Sequence, residues 1–313
     1  MSNEELTRAE PNEPNEPAEP HEEHAVVAPV TTEAESVKSS RAGRNLPAAF
    51  VVGLSLGALV ILSVFTRKEL FVVLATASVC VGVWEICRAL RANGLNVPVI
   101  PSVVGCISML GAAYVGGGQA LALSFALTCV AILLWRASDG ASGAAPDIAV
   151  GMLVAAYPSL LAAFSSLLLA PPDGNWRLFT YVAVTVSSDI GGYAVGVVAG
   201  RHALAPTISP KKSWEGFGGS VAMCMVVGAA CVHFTLGGRW WVGMILGAVT
   251  AVAATVGDLV ESTLKRDLGI KDMSNILPGH GGMMDRLDSL VMTAPVVWAV
   301  LTLLVPVAVV AGR

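Results

Sequence analysis

The chain has 313 residues, of which 54% are hydrophobic and only 13% charged, with a mean hydropathy of +0.68. A soluble domain carries about a quarter charged residues, so these proportions exclude a water-soluble globular class and indicate a polytopic membrane protein. The net charge of −4 is set by one end: ten of the 23 acidic residues lie in residues 1–46, leaving 13 acids against 15 bases in the apolar remainder.

Residues 1–46 contain "PNEPNEPAEP" and no aromatic side chain. Such a segment cannot bury enough apolar surface to offset its ordering entropy, so a disordered acidic Pro/Glu-rich arm is expected. It lacks the basic start and apolar run of a signal peptide. From residue 47 to 313 the chain reads as one polytopic membrane domain. A helix needs about 20 mostly apolar residues to cross the hydrocarbon core. Runs of that kind fall near 47–66, 70–90, 98–115, 118–135, 147–169, 177–200, 217–236, 240–258 and 288–311. The third and fourth are short and separated by "YVGGGQA". The runs do not alternate as barrel strands do, which leaves helices. The expected fold is therefore an all-α integral membrane protein with about nine transmembrane helices.

Nine spans place the N-terminus and the even-numbered loops on one side, with fourteen of the Lys and Arg residues, and five on the other. Positive charge marks the cytoplasmic side, so a cytoplasmic N-terminus is expected. An eight-span arrangement would separate the two long even loops, 201–216 and 259–287. The six cysteines (Cys80, Cys87, Cys106, Cys129, Cys224 and Cys231) all lie in apolar runs without a C-x-x-C pair. They read as small buried hydrophobes, not a disulfide framework or a zinc site.

Polar chemistry is concentrated late in the chain. Asp189, in "TVSSDIGGYAVGVVAG", sits in mid-span, where a carboxylate is costly and usually faces a cavity or a partner. The glycines after it also suit a helix-packing face. "TISPKKSWEGFGGS" (207–220) brings Ser209, Lys211, Lys212, Ser213 and Glu215 to a membrane-edge loop. Its lysines and interfacial Trp fit ordinary positive-inside anchoring; its hydroxyls, cations and glycines equally suit phosphate oxygens. In "TVGDLVESTLKRDLGIKDMSNILPGHGGMMDRLDS" (255–289), Asp258, Glu261 and Ser262 share a helix face at i, i+3 and i+4. Lys265 and Arg266 extend that helix into water. Pro278 and three glycines then bend the chain around His280, and Asp285, Arg286 and Asp288 open the last span. Helix capping alone accounts for Asp288, but less well for Asp285 and Arg286. Asp258 and Asp285 come from different spans and could converge on one hard cation such as Mg²⁺, which also binds substrate phosphates. With surrounding lysines and arginines, those parts suit phosphoryl or nucleotidyl transfer. An ion path through Asp189, Asp258 and Asp285 is the competing reading. The bare, short odd loops count against it, because a transporter needs polar residues at both faces.

The stretch "STLKRDLGIKDMSNILPGHGGMMDRLD" (262–288) resembles the signature of the phosphatidate cytidylyltransferases, or CDP-diacylglycerol synthases. Ser262, Lys265, Arg266, Lys271, Asp272, Pro278, His280, Gly281, Gly282, Asp285, Arg286 and Asp288 fall on its fixed or restricted positions. "SPKKSWEG", "GDLVES" and the Asp189–Gly200 segment resemble its other blocks. The resemblance covers roughly 187–288. Ser213 stands where the family often has Thr, and the acidic arm lies outside the pattern. The resemblance implies transfer of CMP from CTP to phosphatidate, giving CDP-diacylglycerol and pyrophosphate for phospholipid biosynthesis. It implies Mg²⁺ held by Asp258 and Asp285, with K⁺ as a further family feature, and a multi-span fold that typically dimerises. The expected partners are CTP and phosphatidate from the cytoplasmic leaflet of the plasma membrane, with no nucleic acid. Asp258, Asp285, Lys265, Arg266, Arg286 and His280 would carry the chemistry; for His280, donating to phosphate and shaping the turn are both open. Ser209, Lys211, Lys212, Ser213, Glu215, Asp189, Ser262 and Lys271 would bind substrate. A CTP-dependent lipid kinase shares much of this architecture but would release CDP. The D-G-x-x-A-R pattern of CDP-alcohol phosphatidyltransferases is absent.

Overall fold

The structure, a computed structural model, describes residues 46–140, 142–276 and 281–307, with the backbone alone for 46–54 and 56. The acidic arm and Pro278, Gly279 and His280 lie outside the described residues. Helices dominate: α1 (Leu46–Thr66), α2 (Lys68–Ala92), α3 (Val99–Ser138), α4 (Ala144–Val154), α5 (Leu161–Leu169), α6 (Gly174–Ala199), α7 (Trp214–Phe234), α8 (Trp240–Asp267) and α9 (Met284–Leu304). A π-helical turn, Ala155–Leu160, joins α4 to α5. It contains Pro158, which has no N–H to give to an α-helical ladder. Among the described residues, seven helices are long and apolar enough to cross a membrane, the α4–α5 run Ala144–Leu169 counting as one. Gly57–Thr66 of α1 adds a shorter apolar stretch.

The 40-residue α3 is not straight. Gly117 takes φ 67 and ψ −157, a conformation that side chains with a Cβ rarely adopt. The helix breaks there, inside the predicted "YVGGGQA" interruption. Its two arms then pack on each other: a Cβ on Gly105 would come within 2.2 Å of Thr128, and Ser108 and Ser124 share a hydroxyl hydrogen bond at 2.7 Å.

Hydrogen bonds gather the loops at two ends. At one, Arg136 pairs with Asp147 at 2.8 Å, Asp147 accepts from the Asn96 amide, and Asn93 donates to the Leu268 carbonyl. At the other, Lys68 donates to the Pro171 carbonyl, Arg177 pairs with Asp173 and donates to Leu301 and Val305, and Tyr114 donates to Glu69. Between them lie apolar clusters that include Val83, Ile86, Met109 and Met284, and Leu168, Leu178, Leu246 and Leu301. Outward apolar residues such as Val115, Val198 and Leu303 remain exposed, which suits a lipid-facing surface. Tyr181 donates to Leu290 at 2.7 Å and Thr185 meets Thr293 at 3.0 Å, so α9 packs against α6 through polar contacts as well.

The predicted 201–216 loop holds a small antiparallel hairpin, β1 (Ala203–Ala205) with β2 (Ser209–Ser213). It lies at the end where α6 and α8 finish and α7 and α9 begin. That end carries the candidate site.

Candidate active site

The site begins with how closely α6 and α7 approach. A Cβ on Gly191 would come 2.6 Å from the Gly219 carbonyl, and one on Gly219 would come 2.7 Å from the Gly191 carbonyl. Ser220 donates to the Ser188 carbonyl at 2.7 Å across the same seam. Where the helices part, a cleft of about 180 Å³ opens, lined by Asp189, Lys211, Lys212, Ser213, Thr255 and Asp258 among others. Five of these six were predicted site residues; Thr255 was not. Strand β2 delivers both lysines to this cleft, and its last residue, Ser213, caps α7 by accepting from the Gly216 amide at 3.1 Å. An N-cap hydroxyl is the usual partner for such an orphan donor. Glu215 is occupied by the hairpin: it accepts from the Arg201 and His202 amides at 3.1 and 3.2 Å and pairs with the His202 ring at 2.5 Å. Ser209 sits at the start of β2, paired with Ala205. Arg266 lies on α8 and donates to the Ile208 carbonyl, fastening the hairpin tip.

A seam of carboxylates runs from the cleft along α8 and α9. Asp258 takes an ion pair from Lys212 on one oxygen and the Ser289 hydroxyl on the other. Two turns on, Lys265 forks between Glu261 at 2.9 Å and Asp285 at 2.7 Å, both carboxylates being almost fully buried. The other oxygen of Asp285 accepts the Gly282 and Met273 amides at 2.8 and 3.0 Å. Asp288 accepts from the Ser289 amide and lies in the fields of Asp258 and Glu261. Arg286, exposed on α9, is close enough to act on Asp189. Ser262 is half-buried on α8 and Lys271 is exposed beyond its end. The structure thus links Asp189, Lys212, Asp258, Glu261, Lys265, Asp285, Arg286 and Asp288 in one electrostatic network. Asp258 and Asp285 are neutralised by different lysines.

Glu85 of α2 is a site-region residue that the sequence reading passed over. It is fully buried and accepts from the Ser274 hydroxyl and from the Met283 and Met284 amides at 2.9 and 2.8 Å. The signal was present: a carboxylate inside an apolar run, the feature that singled out Asp189. Ser289 and Ser274 carried no such signal, because a lone serine in a helix or loop is commonplace.

The donor set suits a hard cation. Asp189, Asp258, Glu261, Asp285 and Asp288 outnumber the nearby Lys211, Lys212, Lys265 and Arg286, and Glu261 keeps one buried oxygen without a hydrogen-bond partner. Every donor is an oxygen, which favours Mg²⁺ over zinc or copper. Among the described residues, no three acidic, His or Cys side chains are gathered closely enough to enclose a metal ion.

Residues 48–304 match the profile of the cytidylyltransferase family. A phosphatidate cytidylyltransferase of Mycobacterium leprae is 40% identical over 287 residues, covering 86% of this chain and 92% of that protein. One from Mycobacterium bovis is 38% identical over 282 residues, with 86% and 92% covered. A Haemophilus influenzae enzyme of the same name is 43% identical over 124 residues, covering 38% of this chain and 43% of its own. With the family profile spanning residues 48–304 and near full-length relatives 38–40% identical, the chain belongs to the cytidylyltransferase family.

Proposed function

We propose that the chain transfers the cytidylyl group of CTP to phosphatidate, producing CDP-diacylglycerol and pyrophosphate, in the cleft between α6, α7 and α8 and the adjoining α8–α9 seam. The observation that carries this is the convergence of Lys211, Lys212, Asp189 and Asp258 on one cleft, continuous with the Lys265–Asp285 pair of the signature segment. A phosphate oxygen of phosphatidate attacks the α-phosphorus of CTP; the new P–O bond forms as the bond to the β-phosphate breaks. A phosphate monoester has its second pKa near ~6, so the nucleophile is already largely ionised and needs no strong base. The obstacle is bringing two polyanions together, which cations address. Lys212 is held by Asp258 and is only partly covered, so it can swing to an arriving phosphate. Lys211 lines the same wall. Asp258 and Asp285 would hold Mg²⁺, which when bound neutralises phosphate charge and polarises the reacting phosphoryl group.

The reading extends to a plasma-membrane protein with nine crossings, its N-terminus and site facing the cytoplasm, so that phosphatidate enters sideways from that leaflet. The two arms of α3 and the alternation of loops between the two tied ends support nine crossings. A homodimer and a K⁺ ion beside Mg²⁺ are carried by family resemblance.

Product analysis with purified protein, phosphatidate, Mg²⁺ and α-labelled CTP tests the reaction, beside Asp285→Asn. Label entering the lipid with release of pyrophosphate, and lost by at least about a hundredfold in the variant, is the expected result. Label remaining in CDP would make the protein a lipid kinase. No turnover across varied Mg²⁺ and K⁺ would reject nucleotidyl transfer in favour of ion conduction.

A further inference from the structure

The first N–H groups of a helix have no partner within it and need caps. At the start of α9, Met283 stands at the cap position and supplies no side-chain hydrogen bond. The cap comes from elsewhere: both oxygens of Glu85, on α2, receive the Met283 and Met284 amides. Glu85 also takes the Ser274 hydroxyl, so one carboxylate binds residues 274, 283 and 284 together. Gly282 is shaped to this carboxylate, since a Cβ there would come within 2.9 Å of both of its oxygens. Negative charge at a helix N-terminus is favoured by the exposed amides and the aligned peptide dipoles. Among the described residues, no Lys or Arg pairs with Glu85, leaving these donors as its stabilising environment. Glu85 itself does not line the cleft. Asp285 lies one residue beyond the clamped Met284, and its second oxygen reaches Lys265. The direction in which α9 starts therefore decides where Asp285, Arg286 and Asp288 point.

We infer that Glu85 is a positioning residue for nucleotidyl transfer, clamping the first turn of α9 so that Asp285 and its neighbours meet the seam in a fixed orientation. This rests on the proposed function. The clamp itself is measurable without it. Hydrogen exchange of the purified full chain, read on peptides covering 283–290, reports the cap; steady-state kinetics with CTP and phosphatidate reports the consequence. In Glu85→Ala, exchange at the start of α9 should rise by about tenfold or more, because charge-assisted hydrogen bonds are lost. Turnover should fall by about a hundredfold through misplacement of catalytic groups, with KM for CTP changed less than about threefold. Glu85→Gln, nearly isosteric, keeps only one acceptor oxygen and should fall between wild type and Glu85→Ala on both readouts. Gly282→Ala, which keeps the Glu85 side chain but pushes its carboxylate away, should reproduce the local loosening and the turnover loss.

Unchanged exchange at 283–285 in the Glu85 variants would overturn the clamp. Loosening spread evenly over α2, α5 and α9 would reduce Glu85 to a general packing role. Local loosening with full turnover would overturn the positioning role. A wild-type protein with no cytidylyl transfer would sink the functional reading while the exchange data still decide the clamp.

Discussion

Lys212 and Lys265 are both lysines bound to carboxylates of the same seam, yet their surroundings differ. Lys265 holds two acids whose side chains are 2% and 5% exposed, whereas Lys212 and Asp258 are 28% and 23% exposed. Removing one partner of a buried ionic group strands the other and costs about 3–5 kcal/mol; a partly exposed pair contributes under about 1 kcal/mol. Lys265→Met should therefore lower the melting temperature in detergent sharply and abolish turnover. Lys212→Met should leave the melting temperature nearly unchanged while cutting turnover by a hundredfold or more, about 3 kcal/mol of transition-state stabilisation. Equal melting losses in the two variants would show that Lys212 is a structural ion pair and not a mobile phosphate ligand. At this scale the sequence was informative wherever a charge stood inside oil. Asp189 announced itself by its cost in mid-span, and Asp258 and Asp285 by standing at the ends of different spans. Ser213 and Glu215 were picked out instead by the crowding of hydroxyls, cations and glycines in the 207–220 loop, and the fold uses the Ser213 hydroxyl as an α7 cap and Glu215 to bind the hairpin.

Among the elements, the α6–α7 pair depends on missing side chains. Adjacent glycines on α7 make the point. A Cβ on Gly218 would meet nothing within 4 Å, while one on Gly219 would press on Val195 at 2.5 Å and the Gly191 carbonyl at 2.7 Å. Gly218→Ala removes only backbone freedom and should stabilise the helix by about 0.5–1 kcal/mol, with activity retained. Gly219→Ala should cost about 1–3 kcal/mol by overpacking and lower turnover, because α6 carries Asp189 and α7 follows directly from the lysine strand. Thermal unfolding and turnover of the two variants, side by side, check this; a harmless Gly219→Ala would mean the seam yields without moving the cleft. Helix positions were legible from hydropathy, and the α3 break was legible from three successive glycines. The start of α9 was not: it begins at Met284, four residues before the predicted 288, because its cap comes from Glu85, nearly 200 residues upstream. The β1–β2 hairpin was illegible for a related reason. Its strands of three and five residues are held by main-chain pairing and by Arg266, neither of which leaves a periodic pattern.

For the whole molecule, positive charge among the described residues is concentrated at one end. Among the described residues, the site end carries Arg88, Arg91, Arg136, Arg201, Lys211, Lys212, Lys265, Arg266, Lys271 and Arg286, and the opposite end only Arg67, Lys68, Arg177 and Arg239. Two of those four are spent on internal bonds, Lys68 to Pro171 and Arg177 to Asp173 and the end of α9. Cytoplasmic loops retain Lys and Arg because positively charged segments resist translocation. The proposed orientation, with the site end cytoplasmic, would also meet the chemistry, since CTP is a polyanion that does not cross a bilayer unaided and would reach the cleft from the side where it is made. A membrane-impermeant maleimide distinguishes the two orientations. The six native cysteines are buried or half-buried, so they contribute little background. Lys271→Cys, beyond α8, should label only after cells are permeabilised, and Arg239→Cys, before α8, should label in intact cells. The reverse pattern would put the cleft outside, remove its access to CTP, and reject cytidylyl transfer even for a protein whose fold and seam are otherwise intact.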